Sequence, residues 1–334
     1  MATIYDIAKK TGFSITTVSK VLNNYSDVSE KTRKLILAAV EELDYYPSSS
    51  ARTLTTKKSW TIGVVFIDTH GMEHPFFNAV IESFRKKAEK SGYDLLFASN
   101  QIGNDPKTYI DHFQYRGVDG VVIFCSVDGD PEIEKLIKSK IPTVLIDLES
   151  RESSVVYSDN EYGSHLAVEY LHSLGHEKIA HISGHKDLYV AVQRLNGFLN
   201  AMRKYNLDVP DDYIVDGGFF HYEGGQKAMR QLLKLKELPT AVYVAGDLMA
   251  LGAISEIKKN GLNVPEDISV IGFDDIKMVE YTTPALTTLR QDTALMGKTA
   301  ANLLIDQINN KTKQCMSVKI PVHIIERESC RSIK

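Results

Sequence analysis

The sequence predicts an N-terminal all-α helix-turn-helix headpiece followed by an α/β body of two parallel-sheet lobes. Residues 3–24 hold two short helical patterns that meet at a glycine, and a third pattern follows over 29–43. From residue 60 onward, short apolar runs alternate with amphipathic helical patterns, which is typical of parallel sheets with helical crossovers. The length of 334 residues exceeds that of one typical domain and leaves room for both parts.

The first two helices are bounded by capping residues. Thr3 and Asp6 have the spacing of a capping box, in which a hydroxyl and a carboxylate satisfy the free backbone donors of a helix start. Gly12 permits the left-handed backbone that ends a helix, and Ser14 is placed to cap the next one. We therefore expect one helix from about Ile4 and a second directly after Ser14.

A third helix is indicated by a cap and by a helical period. Ser29 is placed to cap it and Glu30 lies in its first turn, where a carboxylate is favourable. The apolar residues recur at i, i+3, i+4 and i+7, so that one face of the helix is apolar. Three short helices of this kind can share one small core. The recurring residues are Ile36, Ala39, Val40 and Leu43.

The second helix has a polar, basic face that suits a DNA major groove. It would bury Val18, Val21 and Leu22, and a helix with the opposite edge polar can enter the groove. The charge distribution agrees: residues 1–58 carry nine Lys/Arg and six Asp/Glu, a net charge of +3, which leaves −7 for the rest. The basic end is the expected nucleic-acid end. The exposed residues would be Ile15, Thr16, Ser19 and Lys20.

Nine sequence blocks, weak one by one but specific in their joint order, carry a family resemblance over essentially the whole chain. They are TIYDIAKKTGFSITTVSKVLN at 3–23, VSEKTRKLILAAVEELDYYPSSSARTL at 28–54, HPFF at 74–77, SDNEYG at 158–163, LGHEKIAHISG at 174–184, RLNGF at 194–198, DLMALGA at 247–253, VIGFDD at 270–275 and PALTTLRQD at 284–292. With these blocks the chain resembles the lactose/galactose repressor (LacI/GalR) family of transcription regulators.

The resemblance implies how DNA is bound and how the N-terminal part is divided. A headpiece over residues 1–46 would read the major groove, and residues 47–59 would form a hinge that orders on DNA and pairs with its twin in a homodimer. Leu54 would then be a wedge in the minor groove. The Ser/Thr-rich composition of 47–59 also fits a flexible linker, and both interpretations stay open. The expected DNA-contacting residues are Ile15, Thr16, Thr17, Ser19, Lys20, Asn23, Ala51 and Leu54.

The body over residues 60–334 is expected to be like a periplasmic binding protein, with an effector-binding cleft between its lobes. The N-lobe would comprise about 60–160 and 289–321, and the C-lobe about 161–288 and 322–334. The chain would therefore cross near 160, 288 and 321. Ligands of open α/β sheets bind beyond the carboxyl ends of the strands, which here means between the lobes.

Two strand ends supply carboxylates to this cleft. Asp147 closes the run TVLID and Asp274 closes SVIGFD, where acceptors in fixed directions suit sugar hydroxyls. Asp247, at the start of DLMALGA, is instead expected to be a helix cap. The resemblance adds Arg194, whose planar fork can hold hydroxyls, phosphate or carboxylate, and three rings. Structural roles stay open beside these: the acids also fit helix caps or loops, the arginine also fits a salt bridge between the lobes, and two adjacent Phe also fit the edge of a core. The expected effector-binding residues are Phe76, Phe77, Asp147, Arg194, Phe220 and Asp274.

Three departures from the family pattern concern specificity. Gly246 and Val190 stand where the lactose repressor or other sugar-responsive relatives carry polar side chains, which puts that repressor's own sugar in doubt. Lys20 stands where arginine is common, so that a bidentate contact to guanine is replaced by a less directional one. We therefore expect an operator that differs from the commonest family sites.

Other classes of protein fit less well. The sequence has no GxGxxG, GxSxG or HExxH motif, and Gly297-Lys298-Thr299 lacks the upstream glycine of a P-loop, so no enzyme and no cofactor are predicted. An exported solute-binding protein would share the body, but it would not carry a helix that reads DNA. The start MATIYDIAKK has no apolar signal region, and no run of about 18 apolar residues occurs, which predicts a cytoplasmic protein without a membrane partner.

Histidine and cysteine do not suggest a metal site or a disulfide framework. Three widely separated cysteines without a CxxC pair favour a reducing compartment. Four histidines lie close in the sequence but span a helix end, a turn and a strand, which scatters their directions. The cysteines are Cys125, Cys315 and Cys330, and the histidines are His172, His176, His181 and His185.

The protein is expected to be a homodimeric transcriptional repressor of carbohydrate metabolism genes that binds a pseudo-palindromic operator in double-stranded DNA. A small sugar-type effector would control it by preferring one arrangement of the lobes. Control by a nucleobase, or by a phosphoprotein corepressor as in one branch of the family, remains the alternative.

Overall fold

In a computed structural model, the chain divides into two compact units, Met1–Ser59 and Trp60–Lys334, each of which is described by itself. The predicted hinge residues Ala51 and Leu54 lie outside the described residues, as do Pro47 and Cys125. The structure describes residues 2–46, 58–66, 73–97, 101–102, 105–106, 108–124, 129–310 and 314–334.

The headpiece consists of three helices, as predicted, and its capping residues act as the sequence suggested. The Thr3 amide donates to the Asp6 carboxylate at 2.8 Å, and Gly12 ends the first helix with a left-handed φ of 74°. Ser14 and Ser29 each accept a backbone N–H, from Thr17 at 3.1 Å and from Thr32 at 3.2 Å. The helices are α1 (Ile4–Thr11), α2 (Ile15–Leu22) and α3 (Glu30–Glu42).

One small core holds the three helices together. Each helix contributes buried apolar residues to it, and half-buried neighbours such as Leu22, Val40 and Leu43 close its edges. The polar faces of the helices are left outside, because a helix of this size has only one apolar stripe to bury. The buried core residues are Ile7, Val18, Val21, Ile36 and Ala39.

The first lobe of the body has a parallel six-stranded sheet in the order β13-β7-β6-β5-β1-β2. Its central strands are buried on both faces: Val121 and Ile123 join one core cluster, and Val122 and Phe124 join the other. Parallel sheets covered by helices require such continuous apolar runs. The strands are β1 (Thr61–Phe66), β2 (Asp94–Phe97), β5 (Gly120–Phe124), β6 (Thr143–Ile146), β7 (Ser154–Ser158) and β13 (Ser317–Ile320), beside a hairpin of β3 (Gln101–Ile102) and β4 (Asp105–Pro106).

The second lobe has its own six-stranded sheet, in the order β14-β12-β11-β10-β8-β9. Its strands are parallel except β14, which pairs with β12 in the antiparallel direction. The strands are β8 (Ile179–Ser183), β9 (Ile214–Asp216), β10 (Ala241–Val244), β11 (Ser269–Asp274), β12 (Thr287–Gln291) and β14 (Val322–Ile325).

Helices cover the faces of both sheets, and glycine allows two of them to approach closely. A Cβ on Gly297 would lie 2.4 Å from the Val80 carbonyl oxygen of the neighbouring helix, so no larger residue fits there. None of the helices in the described ranges combines the length and apolar character that crossing a bilayer demands. The helices are α4 (Pro75–Lys90), α5 (Tyr109–Arg116), α6 (Pro131–Lys138) and α11 (Thr293–Asn310) in the first lobe, and α7 (Asn160–Ser173), α8 (Tyr189–Lys204), α9 (Tyr222–Leu232) and α10 (Asp247–Lys259) in the second, with 3-10 turns at Asp211–Tyr213 and Lys277–Glu280.

The chain passes between the lobes at three places: after β7, after β12 and between β13 and β14. The second passage lies beyond Gln291 rather than near the predicted residue 288, so that residues 289–291 belong to the C-lobe. The reason is sheet pairing, because Arg290 lies opposite Asp274 of β11 and Gln291 lies opposite Val322 of β14.

Candidate functional site

The first candidate site is the exposed edge of α2. Ile15 is 40% exposed, Thr16 is exposed, and Ser19 and Lys20 are half-buried. Thr17 serves the helix start as well, because its hydroxyl lies 2.9 Å from that of Ser14. The helix therefore presents a short row of small polar side chains and one cation. A helix with such an edge is narrow enough to enter a major groove.

Lys20 is held by an acidic neighbour that the sequence analysis did not single out. Its ammonium donates to the carboxylate of Asp27, and the pKa of Asp27 lies below its ordinary value because of this bond. The Lys20 side chain is 41% exposed and that of Asp27 is 54% exposed. The lysine at the predicted base-reading position therefore forms a solvent-screened ion pair within the headpiece.

Asn23 ends α2 and binds back onto it. Its side-chain amide donates to the Ser19 carbonyl at 2.9 Å and lies 3.3 Å from the Ser19 hydroxyl. These bonds occupy the donor side of the amide, so the group that Asn23 can still offer to DNA is its carbonyl oxygen.

The second candidate site lies between the lobes and centres on Arg194 of α8. This arginine is 3% exposed; its Nε donates to the Asn160 side chain at 2.8 Å and its Nη1 donates to the Ala245 carbonyl at 2.6 Å. Asn160 is the first residue of α7, directly after the first passage between the lobes. Arg194 therefore links α8, on which it lies, to the start of α7 and to the residue that follows β10.

Acidic and aromatic groups surround the Arg194 guanidinium. Its Nη1 lies 3.6 Å from the Asp274 carboxylate, an ion pair rather than a hydrogen bond. The guanidinium carbon lies 3.8 Å from the centre of the Phe273 ring and 5.4 Å from that of Phe220. Stacking on these rings fixes the plane of the fork, as a cation–π contact does.

Asp247 is not the helix cap that we expected. Gly246 occupies the N-cap with an extended φ of −168°, which moves Asp247 into the first turn of α10. There its carboxylate accepts the Thr288 hydroxyl at 2.6 Å and the Ile276 amide at 2.9 Å. Burial, together with the neighbouring charge of Asp274, raises the pKa of Asp247 well above its ordinary value.

Asp274 is similarly buried. It accepts the Gln291 amide at 2.7 Å, and its backbone is left-handed at φ 127°. Burial raises the pKa of Asp274, although the charge of Arg194 opposes this shift. A residue at such a φ is uncommon and is held by its surroundings, which is frequent at ligand sites.

Asp147 brings a carboxylate to the same place from the first lobe. It follows β6, has a φ of 56° and is 7% exposed. Burial raises the pKa of Asp147 to about 6, against the charge of Arg194 and a bond from the Ser158 amide. Both lobes therefore supply carboxylates that face a single arginine.

Three buried polar atoms around this cluster have no hydrogen-bond partner within the described ranges: Asp147 Oδ1, Ser158 Oγ and Gln291 Oε1. Leaving such a group unpaired costs about 1–3 kcal/mol, so native proteins satisfy it with protein, water or ligand. All three atoms belong to residues at strand ends, and both lobes contribute to the set.

The predicted rings divide into two groups. Phe220, with a φ of 62°, packs beside Arg194, and a Cβ on Gly246 would lie 3.0 Å from its ring; the space left by that glycine is thus partly filled by Phe220. Phe77 stands apart, against Phe66 at 5.6 Å between ring centres. Phe76 is 4% exposed and packs in the first-lobe core, which gives it a role in packing.

The four histidines named above serve packing and hydrogen bonding. His181 stacks between Phe198 and Tyr243, at 4.9 and 4.6 Å between ring centres, and burial lowers its pKa to about 3. His176 lies 3.0 Å from the Thr240 hydroxyl. Among the described residues, no cluster of His, Cys, Asp and Glu could hold a metal ion.

Sequence reasoning missed Asn160, Ser158, Gln291 and Thr288, although all four lie inside or beside blocks that it had singled out. Asn160 and Ser158 belong to SDNEYG, and Thr288 and Gln291 to PALTTLRQD. The available signal was their position at the passages between lobes, where polar residues interrupt apolar runs.

Comparison with known proteins adds the following findings. The family described as "Bacterial regulatory proteins, lacI family" matches residues 3–48, and the family described as "Periplasmic binding protein-like domain" matches residues 168–330. The chain is 37% identical to the HTH-type transcriptional repressor PurR of Klebsiella pneumoniae (strain 342), over 98% of this chain and 97% of that protein.

Two solved structures resemble the fold. The Lac repressor dimer bound to operator and the anti-inducer ONPF is 29% identical, with a TM-score of 0.87 over 99% of both chains. The complex of the transcriptional regulator CelR with cellobiose is also 29% identical, with a TM-score of 0.73 over 98% of this chain and 100% of that one.

Proposed function

We propose, because this chain belongs to the lacI family of bacterial regulatory proteins, that it represses genes of carbohydrate metabolism as a homodimer on a pseudo-palindromic operator. A small, uncharged sugar-type effector bound between the lobes of the body would change its affinity for DNA. The protein is a DNA-binding repressor of that family, and the effector class, the target genes and the contacting residues are our proposal.

The DNA-binding part of the proposal rests on α2. Ile15, Thr16 and Lys20 supply apolar, hydroxyl and cationic contacts along one edge of a capped helix. Thr17, Ser19 and Asn23 would position the helix on phosphates and neighbouring bases. The net charge of +3 over residues 1–58 favours association with DNA at low ionic strength.

The effector part rests on the three unpartnered atoms beside Arg194. Asp147, Ser158 and Gln291 offer a carboxylate, a hydroxyl and an amide oxygen, a set that pairs with the hydroxyls of a sugar. Phe220 offers a ring on which the apolar face of a sugar can pack. Asp147, Asp247 and Asp274 against one arginine leave no surplus positive charge for a phosphorylated ligand.

Selection and titration test both parts. The full chain is used to select duplexes from a random pool, and the selected duplex is titrated with and without cellobiose, ribose, hypoxanthine, guanine and glucose 6-phosphate. We expect a neutral sugar to change the operator Kd by about fivefold or more. Failure to select any sequence would contradict DNA reading, and a response to a nucleobase alone would favour the alternative effector.

The hinge is tested separately through Leu54, a residue outside the described ranges. If it kinks the operator, Leu54→Ala weakens binding to the selected duplex sharply and leaves binding to scrambled duplex nearly unchanged, because only the specific complex uses the kink. Equal losses on both duplexes would remove Leu54 from this role.

A further inference from the structure

The body begins at Trp60, the only tryptophan in the chain, in an unusual backbone conformation. Its φ is 58°, in the left-handed region that side-chain-bearing residues rarely adopt. A bulky residue remains in this conformation only when its neighbours hold it there. The neighbours of Trp60 therefore indicate what the strain maintains.

Backbone bonds tie Trp60 to both strands beside β1. Its N–H donates to the Asp119 carboxylate at 2.8 Å, and Asp119 directly precedes β5. Its carbonyl oxygen accepts the N–H of Asp94, the first residue of β2, also at 2.8 Å. The Asp119 amide in turn donates to the Thr61 carbonyl at 2.9 Å. The first residue of the body is thus fixed at the amino ends of three adjacent strands.

The indole ring is fixed as well. It packs on Tyr93 with 5.3 Å between ring centres, and a Cβ on Gly92 would lie 3.7 Å from it. Tyr93 is 4% exposed and belongs to the first-lobe core. Neither the backbone nor the side chain of Trp60 can turn without breaking contacts with the lobe.

The same sheet reaches the candidate effector site. Strand β1 pairs with β5, β5 pairs with β6, and β6 ends at Asp147. A six-residue strand spans about 20 Å, and these strands are buried on both faces, so the sheet moves as a rigid body. If the first lobe rotates where Asp147 lies, Trp60 therefore rotates with it.

We propose that Trp60, Asp119 and Tyr93 form a clamp that passes movement of the first lobe, without slack, to the chain preceding residue 60. This inference rests on the proposed function, because it assigns the clamp to the control of operator binding. A freely turning joint at residue 60 would absorb the movement, whereas a clamped one converts it into a displacement of the residues that lead to the DNA-binding unit. The three are positioning residues and need not touch DNA or effector.

The first test compares two substitutions of one residue. Asp119→Ala removes the acceptor for the Trp60 amide, and Asp119→Asn keeps an oxygen acceptor as the matched control. With the duplex selected above, we expect Asp119→Ala to weaken operator binding about tenfold or more, with Asp119→Asn near the wild type. Binding to scrambled duplex should be the same in all three proteins. Equal operator affinity in both variants, or equal loss on both duplexes, would overturn the clamp.

The second test needs no DNA. Because Trp60 is the sole tryptophan, time-resolved fluorescence anisotropy of the full chain reports on its mobility alone. We expect the wild type and Asp119→Asn to decay only with tumbling of the body, and Asp119→Ala to gain a fast nanosecond component. A fast component already present in the wild type would overturn the clamp.

A second pair of variants covers the case in which Asp119→Ala does not fold. Trp60→Leu removes the ring contact with Tyr93, and Trp60→Phe retains an aromatic contact as its control; the same operator criterion applies. If the wild type selects no duplex at all, the proposed function fails and the control of DNA by the clamp fails with it. A wild type that selects DNA while the variants match it refutes the clamp alone.

Discussion

The edge of α2 and the cluster around Arg194 use the same kinds of side chain in opposite surroundings. In the headpiece, Lys20 and Asp27 form an ion pair with 41% and 54% of each side chain exposed. Between the lobes, the side chains of Arg194 and Asp274 are each 4% exposed. Water screens the first pair and is excluded from the second. The same kinds of charge therefore interact more strongly between the lobes than in the headpiece.

This difference shows what each region is suited to bind. An exposed lysine can exchange a carboxylate for a phosphate or a base edge at small cost, which fits a large polyanion. Rearranging the buried cluster would cost more free energy. Its unpartnered oxygens fit a small molecule that donates hydrogen bonds to them. Substitutions in the two regions test this contrast.

Arg194→Ala should have the largest effect on stability. It leaves Asp147 and Asp274 buried without their counter-charge and frees the Asn160 and Ala245 acceptors. The expected loss is about 3–5 kcal/mol in the free energy of unfolding, as for other broken buried pairs. Urea denaturation of the body measures it.

Arg85 is the matched control for that change, because it binds Glu82 and Glu89 on the exposed face of α4. Arg85→Ala should leave the urea midpoint almost unchanged. Comparable losses in the two variants would show that burial does not distinguish the two settings.

The contribution of Asp147 to stability should fall as the pH rises between about 4 and 6. The pKa of Asp147 is raised from 3.8 to about 6, so the folded state holds its proton more tightly than the unfolded state does. Raising the pH through this window removes up to about 2–3 kcal/mol of stability. Asp147→Asn should therefore equal the wild type near pH 4 and exceed its stability at pH 7.5.

Urea denaturation at both pH values checks this, with Asp306→Asn on the exposed face of α11 as the control. The control should follow the wild-type pH dependence. If the difference in stability between Asp147→Asn and the wild type is the same at both pH values, the buried carboxylate does not carry the effect.

On the headpiece, Lys20→Ala should weaken operator binding by on the order of 1–3 kcal/mol and relax the preference at one base-pair position. Asp27→Asn should act in a different way, because it releases the lysine without removing its charge. We expect tighter binding to scrambled duplex and a lower ratio of specific to non-specific affinity. Anisotropy titrations of single-base operator variants measure both, and an unchanged base preference in Lys20→Ala would reduce that residue to a phosphate contact.

The smallest expected effect distinguishes a residue that only stabilises the headpiece from one that also supports the helix that reads DNA. Ser14 and Ser29 cap α2 and α3 with nearly the same geometry, at 3.1 and 3.2 Å. Each change to alanine should cost about 1 kcal/mol of headpiece stability. Only Ser14→Ala should also weaken operator binding at a temperature where both variants are folded. Equal operator affinities would contradict the assignment of α2 as the reading helix.

The sequence predicts the headpiece well because its determinants are local. Thr3, Gly12, Ser14 and Ser29 act on residues three or four positions away, and such spacings are visible in a sequence. Asp27 was missed because it meets Lys20 through a turn, seven residues on, and no regular period connects them.

The interlobe site is less predictable because its partners are distant in sequence. Asp147 and Asp274 lie at strand ends, which a sequence can indicate, but Arg194 binds Asn160 from 34 residues away and Ala245 from 51. Asp247 was mistaken for a cap because its partners, Ile276 and Thr288, lie 29 and 41 residues further on.

Ile320 and Val322 belong to different sheets although only Pro321 separates them. During synthesis, the first-lobe sheet lacks its edge strand until residue 320 has been made, and the second-lobe sheet lacks its own until residue 325. Both halves of the body therefore reach completion within the same few residues of chain growth. A premature stop codon anywhere before residue 317 would leave two unfinished sheets rather than one finished lobe and one missing one.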